Sequence, residues 1–181
     1  VPTDEVLMLR VAAGDGEALG PLFDRHHTSI YTLCTRLSGD DQTANDLVQE
    51  VFLRVLRFKE SFRGESSFRT WLYRIAHNAC IDEQRRMRSS REEPLVEPDS
   101  VVALDERREP SGREATLDLA LSRLAPDARD VLVMSCCDGL THRQIATIVG
   151  ATEGAVRVRA HRALRRLRTL VQELEEQPND V

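Results

Sequence analysis

Fifteen residues near the C-terminal end, GAVRVRAHRALRRLR at 154–168, hold six arginines and no acid, in a 181-residue chain whose formal net charge is -5. Arginine is the side chain whose planar fork meets guanine edges and phosphate oxygens two hydrogen bonds at a time. That local chemistry points to nucleic acid. A second set lies upstream in FRGESSFRTWLYRIAHN, where Phe62, Arg63, Trp71, Tyr73, Arg74 and Asn78 fall within seventeen residues. Aromatic faces stack on unpaired bases, a carboxamide reads their pairing edges, and arginines follow the backbone. This set suits a single strand rather than a duplex.

Other chemistries find less support in the sequence. His26, His27, His77 and the scattered carboxylates have no spacing that assembles a nucleophile, a base and an oxyanion site, so no enzymatic activity is expected. The four cysteines, Cys34, Cys80, Cys136 and Cys137, form no C-x-x-C pair and have apolar neighbours. Buried thiols are expected, with no disulfide framework, metal site or cofactor. Adjacent cysteines bridge only with strain, which argues against redox sensing at Cys136 and Cys137.

The elements that position these residues are read from periodicity. Aromatic residues make up 4% of the chain, which favours helices, and 41% hydrophobic residues suit one or two small domains. A short helix is expected near residues 4–13. The next carries Ala18, Leu19, Leu22, Phe23, Ile30, Leu33, Cys34 and Leu37 on one stripe, with Gly20 and Pro21 delaying or bending its start. In DQTANDLVQEVFLRVLRF the apolar positions Ala44, Leu47, Val48, Val51, Phe52, Val55 and Leu56 repeat at three and four. Asp46, Gln49, Glu50, Arg54 and Arg57 lie opposite. Ser66 or Ser67 caps a further helix that runs through Phe68, Trp71, Leu72, Ile75, Ala76 and Ala79 and whose polar side shows Arg74, His77, Asn78 and Arg85; Trp71 and Phe68, taken alone, fit a core role better than a displayed stacking surface.

Residues 89–115 contain three prolines, eight acids and no aromatic residue, too little apolar surface to offset the entropy of ordering. They are expected to be a flexible linker between a first domain at 1–88 and a second at 116–174, with a tail at 175–181. In the second domain Pro126 opens a helix and Gly139 stops it. Thr141 and Gln144 form a capping box, Gly150 turns the chain, and Thr152 caps a long helix whose inner stripe is Val156, Ala160, Leu164, Leu167 and Val171. Two helices about a glycine turn make a helix-turn-helix, so the fold expected is all-α in two domains. Near the start of the second helix stand Thr152, Glu153, Arg157, Val158, His161 and Arg162, where such a fold reads the major groove.

No apolar run approaches the roughly 20 residues a bilayer crossing needs, and VPTDEVLMLR lacks the order of a signal peptide. A cytoplasmic protein without membrane insertion is expected.

Three blocks together carry a family resemblance. DLVQEVFLRVLRF, then FRGESSFRTWLYRIAHNACIDEQRR, then LAPDARDVLVMSCCDGLTHRQIATIVGATEGAVRVRAHRAL closely resemble a bacterial extracytoplasmic-function (ECF, group 4) RNA polymerase sigma factor over about residues 5–172. The resemblance implies a region-two domain, a variable linker and a region-four domain. It implies that DLVQE docks on the clamp of core RNA polymerase through Asp46, Gln49 and Glu50, with Leu53 beside them. FRGESSF would capture a flipped minus-ten base over the TWLYRIAHN helix, so Phe62, Arg63, Trp71, Tyr73 and Asn78 are implied in melting or base capture. Arg74, Arg85 and Arg86 would hold phosphates.

In region four the family pattern is similar to GTVRSRIFRAR, where this chain has GAVRVRAHRAL. Arg157, Arg159 and Arg162 match, while Ala155, Val158 and His161 replace Thr, Ser and an aromatic. This helix is implied to meet the minus-thirty-five element, with Arg165, Arg166 and Arg168 farther along it. The partners implied are core polymerase, promoter DNA as duplex and melted strand, and a separate anti-sigma factor, since the few residues after the last helix leave no room for a fused regulator. No obligate homo-oligomer is expected. The alternative is a free-standing helix-turn-helix regulator of duplex DNA. An acidic chain is easier to reconcile with the first reading, because polymerase supplies affinity that an isolated DNA-binding protein must supply itself.

Overall fold

The structure, a computed structural model, describes residues 1–90, 112–136 and 138–176. Among the described residues every regular element is helical. The order is α1 (Asp4–Ala12), α2 (Leu19–Ser38), α3 (Asp41–Arg57), α4 (Phe68–Ser90), α5 (Arg113–Ser122), α6 (Pro126–Cys136), α7 (His142–Val149) and α8 (Glu153–Glu176). None of these is long and apolar enough to cross a membrane.

Local chemistry sets the boundaries. Gly39 ends α2 in the left-handed region at φ 79°, donating its N–H to Thr35 O at 2.8 Å, and Asp40 then accepts from Thr43 N at 2.6 Å to start α3. The left-handed stop and the carboxylate cap together reverse the chain within two residues. Pro21 falls in the first turn of α2, where its missing N–H has no helical partner to lose, so it neither delays nor breaks the helix. Ser67 accepts from Thr70 N at 3.2 Å and is the cap for α4.

In the first half, α3 and α4 pack on α2, burying Ile30, Leu33 and Leu37 with Ala44, Val51, Val55, Leu72 and Ala76. Asp4 ties α1 to this bundle, accepting from Arg25 at 2.7 Å and meeting His26 Nε2 at 2.6 Å. Burial pushes the Asp4 carboxyl up, but hydrogen bonds from Arg25 and His26 outweigh it and hold the group below its ordinary value. Two residues expected on the inner stripes are exposed instead, Phe23 and Leu56. Phe23 finds local cover by stacking on His27, with ring centroids 5.1 Å apart.

In the second half, α8 is the spine on which α5, α6 and α7 pack, burying Val131, Met134, Ile145 and Ile148 against Val156, Ala160 and Ala163. The capping box is present: Gln144 N donates to Thr141 Oγ1 at 3.2 Å and Thr141 N donates to Gln144 Oε1 at 2.9 Å. Gly150 closes α7 at φ 69°, and Thr152 accepts from Ala155 N at 3.2 Å to open α8.

Helix claims Ser89 and Ser90 at one end of the expected linker and Arg113–Ala115 at the other. Most of the rest of that linker, and the last part of the expected tail, lie outside the described residues, as does Cys137. The two halves also touch: α7 lies on α4, and α6 on α2.

Candidate nucleic-acid interface

The C-terminal turn of α3 and the first half of α4 face each other across a cleft of about 170 Å³, lined by Arg54, Phe58, Ser61, Trp71, Arg74 and Asn78 among others. Two spacings create it. Positions 54, 58 and 61 fall on one side of the chain leaving α3, and 71, 74 and 78 on one side of α4, each at the three- and four-residue steps that share a helix face. Three residues expected from sequence to act together, Trp71, Arg74 and Asn78, are thereby brought into one cavity.

Arg54, Phe58 and Ser61 were not expected to belong to the site. Arg54 stands between two carboxylates, donating from Nε to Glu50 at 2.7 Å and from Nη1 to Asp82 at 2.7 Å. Burial opposes its charge, but the two carboxylates outweigh it and raise the guanidinium above its ordinary value. The signal available in the sequence was the step from Glu50 to Arg54 to Phe58, which aligns an acid, a cation and an aromatic along one face. Phe58 is 47% exposed, so its ring is open to a stacking partner.

Of the two roles open to Trp71 and Phe68, core and displayed stacking surface, the structure gives the core. Trp71 is 4% exposed and Phe62 4%, because Phe62 packs edge-on against both Trp71 and Phe68, at 5.4 and 6.0 Å between centroids. Burial of aromatic area outweighs display here. Trp71 therefore lines the cleft with only a small exposed area. Tyr73 is fully buried and points away from the cleft, under the second half of the chain. His77, expected on the polar side of α4, is buried as well. Arg63 is exposed in the loop before α4. Arg85 and Arg86 are exposed farther along α4, where Arg86 pairs with Glu83 at 2.9 Å.

On the outer side of α3, Asp46, Gln49 and Leu53 are exposed, and Glu50 is half-buried through its contact with Arg54. Leu53, at 56% exposure, is an apolar centre with acid and amide neighbours, a composition suited to protein contact.

On α8, Thr152, Glu153, Arg157, Val158, His161 and Arg162 are all exposed. Arg159 departs from this group. Two residues beyond Arg157 is about 200° around a helix, and there Arg159 is half-buried, with Nε 3.4 Å from Asp127 of α6. The same periodicity returns Arg165 and Arg168 toward the Arg157 face, while Arg166 lies 3.5 Å from Glu173.

Comparison with known proteins gives consistent results for both halves. The Sigma-70 region 2 family model matches residues 22–90, and the Sigma-70, region 4 model matches residues 114–167. The RNA polymerase sigma factor CarQ of Myxococcus xanthus is 36% identical over 173 residues, covering 93% of this chain and 97% of the relative. The ECF RNA polymerase sigma factor SigL of Mycobacterium tuberculosis is 35% identical, covering 90% and 94%. The ECF RNA polymerase sigma-E factor of Escherichia coli is 34% identical, covering 95% and 96%. Among solved structures, CnrH in complex with the cytosolic domain of CnrY has the same fold, with a TM-score of 0.72 at 24% identity over 95% of this chain and 99% of that one.

Proposed function

The chain belongs to the ECF RNA polymerase sigma factors, and from that premise we propose a division of labour among its surfaces. The protein binds core RNA polymerase and directs promoter recognition, DNA melting and transcription initiation. Residues 1–88 serve as the region-two domain and 116–174 as the region-four domain. The observation that carries this reading is the presence in one chain of an arginine- and amide-lined cleft sized for a single base and of a helix-turn-helix with a cationic outer face.

The exposed face of α3 meets polymerase through Asp46, Gln49 and Leu53, with Glu50 at its margin. A minus-ten base leaves its stack and enters the α3/α4 cleft. Flipping takes a few kcal/mol, and stacking with pairing-edge hydrogen bonds recovers about 1–3 kcal/mol per base. Phe58 and Trp71 supply apolar contact, Asn78 donates and accepts at the base edge, and Arg54, Arg74 and Arg63 offer only donors. Phe62 acts by holding Trp71 in place rather than by touching DNA. Arg85 and Arg86 extend the cationic track along the strand.

In the second domain α8 enters the major groove at the minus-thirty-five element. Arg157 and Arg162 face bases or phosphates, Thr152, Glu153 and His161 flank them, and Val158 offers a methyl surface of the kind that meets thymine. Arg159 braces α8 against α6. No bond is made or broken by this chain, which acts in the cytoplasm and is held inactive by a separate anti-sigma factor. That last assignment is supported by the solved relatives, one of them the sigma factor RpoE in complex with the anti-sigma factor NepR from Bartonella quintana.

Reconstitution tests the reading. The full chain, added to core polymerase, should direct initiation at a defined set of sites in a genome-wide run-off assay. Failure to bind core or to initiate anywhere would refute it.

A further inference from the structure

Resting on the base-capture reading above, we propose that Glu5 is a positioning residue for that capture: from α1 it holds the first residue of α4, and through Phe68 it fixes where Trp71 stands in the α3/α4 cleft.

The N–H groups in the first turn of a helix have no carbonyl behind them and need acceptors from elsewhere. At the start of α4 one acceptor is local, Ser67 Oγ, which takes Thr70 N at 3.2 Å. Another comes from sixty-three residues away: Glu5 Oε1 accepts from Phe68 N at 3.1 Å. The Glu5 side chain is half-buried there, and its carboxylate meets the positive end of the α4 dipole.

The Phe68 ring is held from the same helix by a second route. His26 meets it edge-on with centroids 5.4 Å apart, and His26 Nε2 lies 2.6 Å from Asp4 Oδ2. Two adjacent acids of α1 thus fix one aromatic residue, Glu5 through its backbone and Asp4 through the imidazole on its ring. Phe68 is fully buried, and its centroid is 6.1 Å from that of Trp71 and 6.0 Å from that of Phe62. Trp71 then lines the cleft, with Arg74 and Asn78 three and seven positions farther along α4.

The opposite wall leans on α1 as well. Leu7, Met8 and Val11 seat α1 in the core, and α1 lies against the Lys59–Ser61 turn, whose Ser61 lines the cleft. A segment of each wall therefore bears on one short helix. Base capture by stacking and edge hydrogen bonds tolerates little displacement of the groups that make it. Glu5 lies outside the cleft lining and acts on it only through Phe68.

Fork-DNA binding by the full chain with core polymerase tests the role. The probe is a promoter fork whose unpaired strand comes from a site of the run-off assay, used intact and with single abasic positions. In wild type the captured base is the position whose removal weakens binding most. Glu5→Ala, with helicity checked by circular dichroism, should weaken binding of the intact fork by about five- to tenfold. On the fork abasic at the captured position the same variant should lose less than about twofold, because the contact it misplaces is already gone, and core binding should not change. Glu5→Gln keeps an acceptor oxygen and should stay within about twofold of wild type on both forks. Equal losses on the two forks, no loss on the intact one, or a Glu5→Gln variant as weak as Glu5→Ala overturns the proposal. If Glu5→Ala loses its helicity, Glu5→Asp, whose carboxylate falls one methylene short of Phe68 N, is judged by the same two forks. A wild type for which no abasic position weakens binding would overturn the base-capture reading instead.

Discussion

Glu50 Oε1 accepts a hydrogen bond from Arg54 Nε at 2.7 Å, so an acid at the edge of the exposed face of α3 also steadies a wall of the α3/α4 cleft. Arg54 has a second anchor in Asp82. Replacing Arg54 by Ala should therefore leave core binding within about twofold while weakening binding of a melted minus-ten strand by about tenfold, the size of one charge-assisted contact. Fluorescence anisotropy with a single-stranded probe, against a core-binding titration, separates the two. Equal losses in both assays would refute the assignment.

Arg157 and Arg159 share a helix but not an environment. Arg157→Ala should lower affinity for a duplex carrying the minus-thirty-five element by about tenfold or more, in the range of 1–3 kcal/mol for a bidentate contact. Arg159→Ala should act mainly on stability through its loosened contact with Asp127, with only a small change in DNA affinity. Competition binding and urea denaturation on each variant give the comparison, and a larger DNA effect for Arg159 would reverse the proposed roles.

Burial pushes the Asp138 carboxyl up from an ordinary 3.8 to about 6, against the opposing pull of Tyr73, Arg69 and Arg36. Below pH 3.8 the group carries its proton whether buried or free, and no penalty arises. Above about 6 it is ionised in both, and the penalty is complete. Its contribution to the folded structure therefore weakens as pH rises from about 4 to 6. Asp138→Asn removes the titration, so the stability of wild type relative to this variant should fall across that window when followed by urea denaturation. A difference that does not change with pH would refute the effect.

Cys34 and Cys80 are buried with their sulfurs 3.8 Å apart, and the neighbouring thiol together with burial pushes Cys80 well above the ordinary thiol range. Thiols held protonated and enclosed are poor nucleophiles. Iodoacetamide at neutral pH should modify the exposed Cys136 first and leave Cys34 and Cys80 untouched until denaturant is added. Peptide mass mapping over time reads this directly, and early labelling of Cys80 would show that the α2–α4 contact opens.

Most of the architecture was legible because it rests on local rules. The helix starts at Thr141 and Thr152, the stop at Gly150 and the stripes of α3 and α8 follow from side-chain oxygens capping free N–H groups, a backbone angle open to glycine, and 3.6-residue periodicity. The same periodicity placed Asp46, Gln49, Arg157 and Arg162 on exposed faces. It misplaced His77, since a helical wheel tells which residues share a side and not whether another element covers it.

By itself, then, the sequence determined two all-α halves, the identity of the cationic helix and the naming of Trp71, Arg74 and Asn78 as one candidate set, all set by interactions within a few turns of chain. Only the tertiary structure decided that Arg54 completes the cleft, that Arg159 turns toward Asp127, and that His77 meets Asp130 across fifty-three residues. Those contacts join helices distant in sequence. Which of the available faces is buried is settled by how the helices pack, a property no local pattern carries.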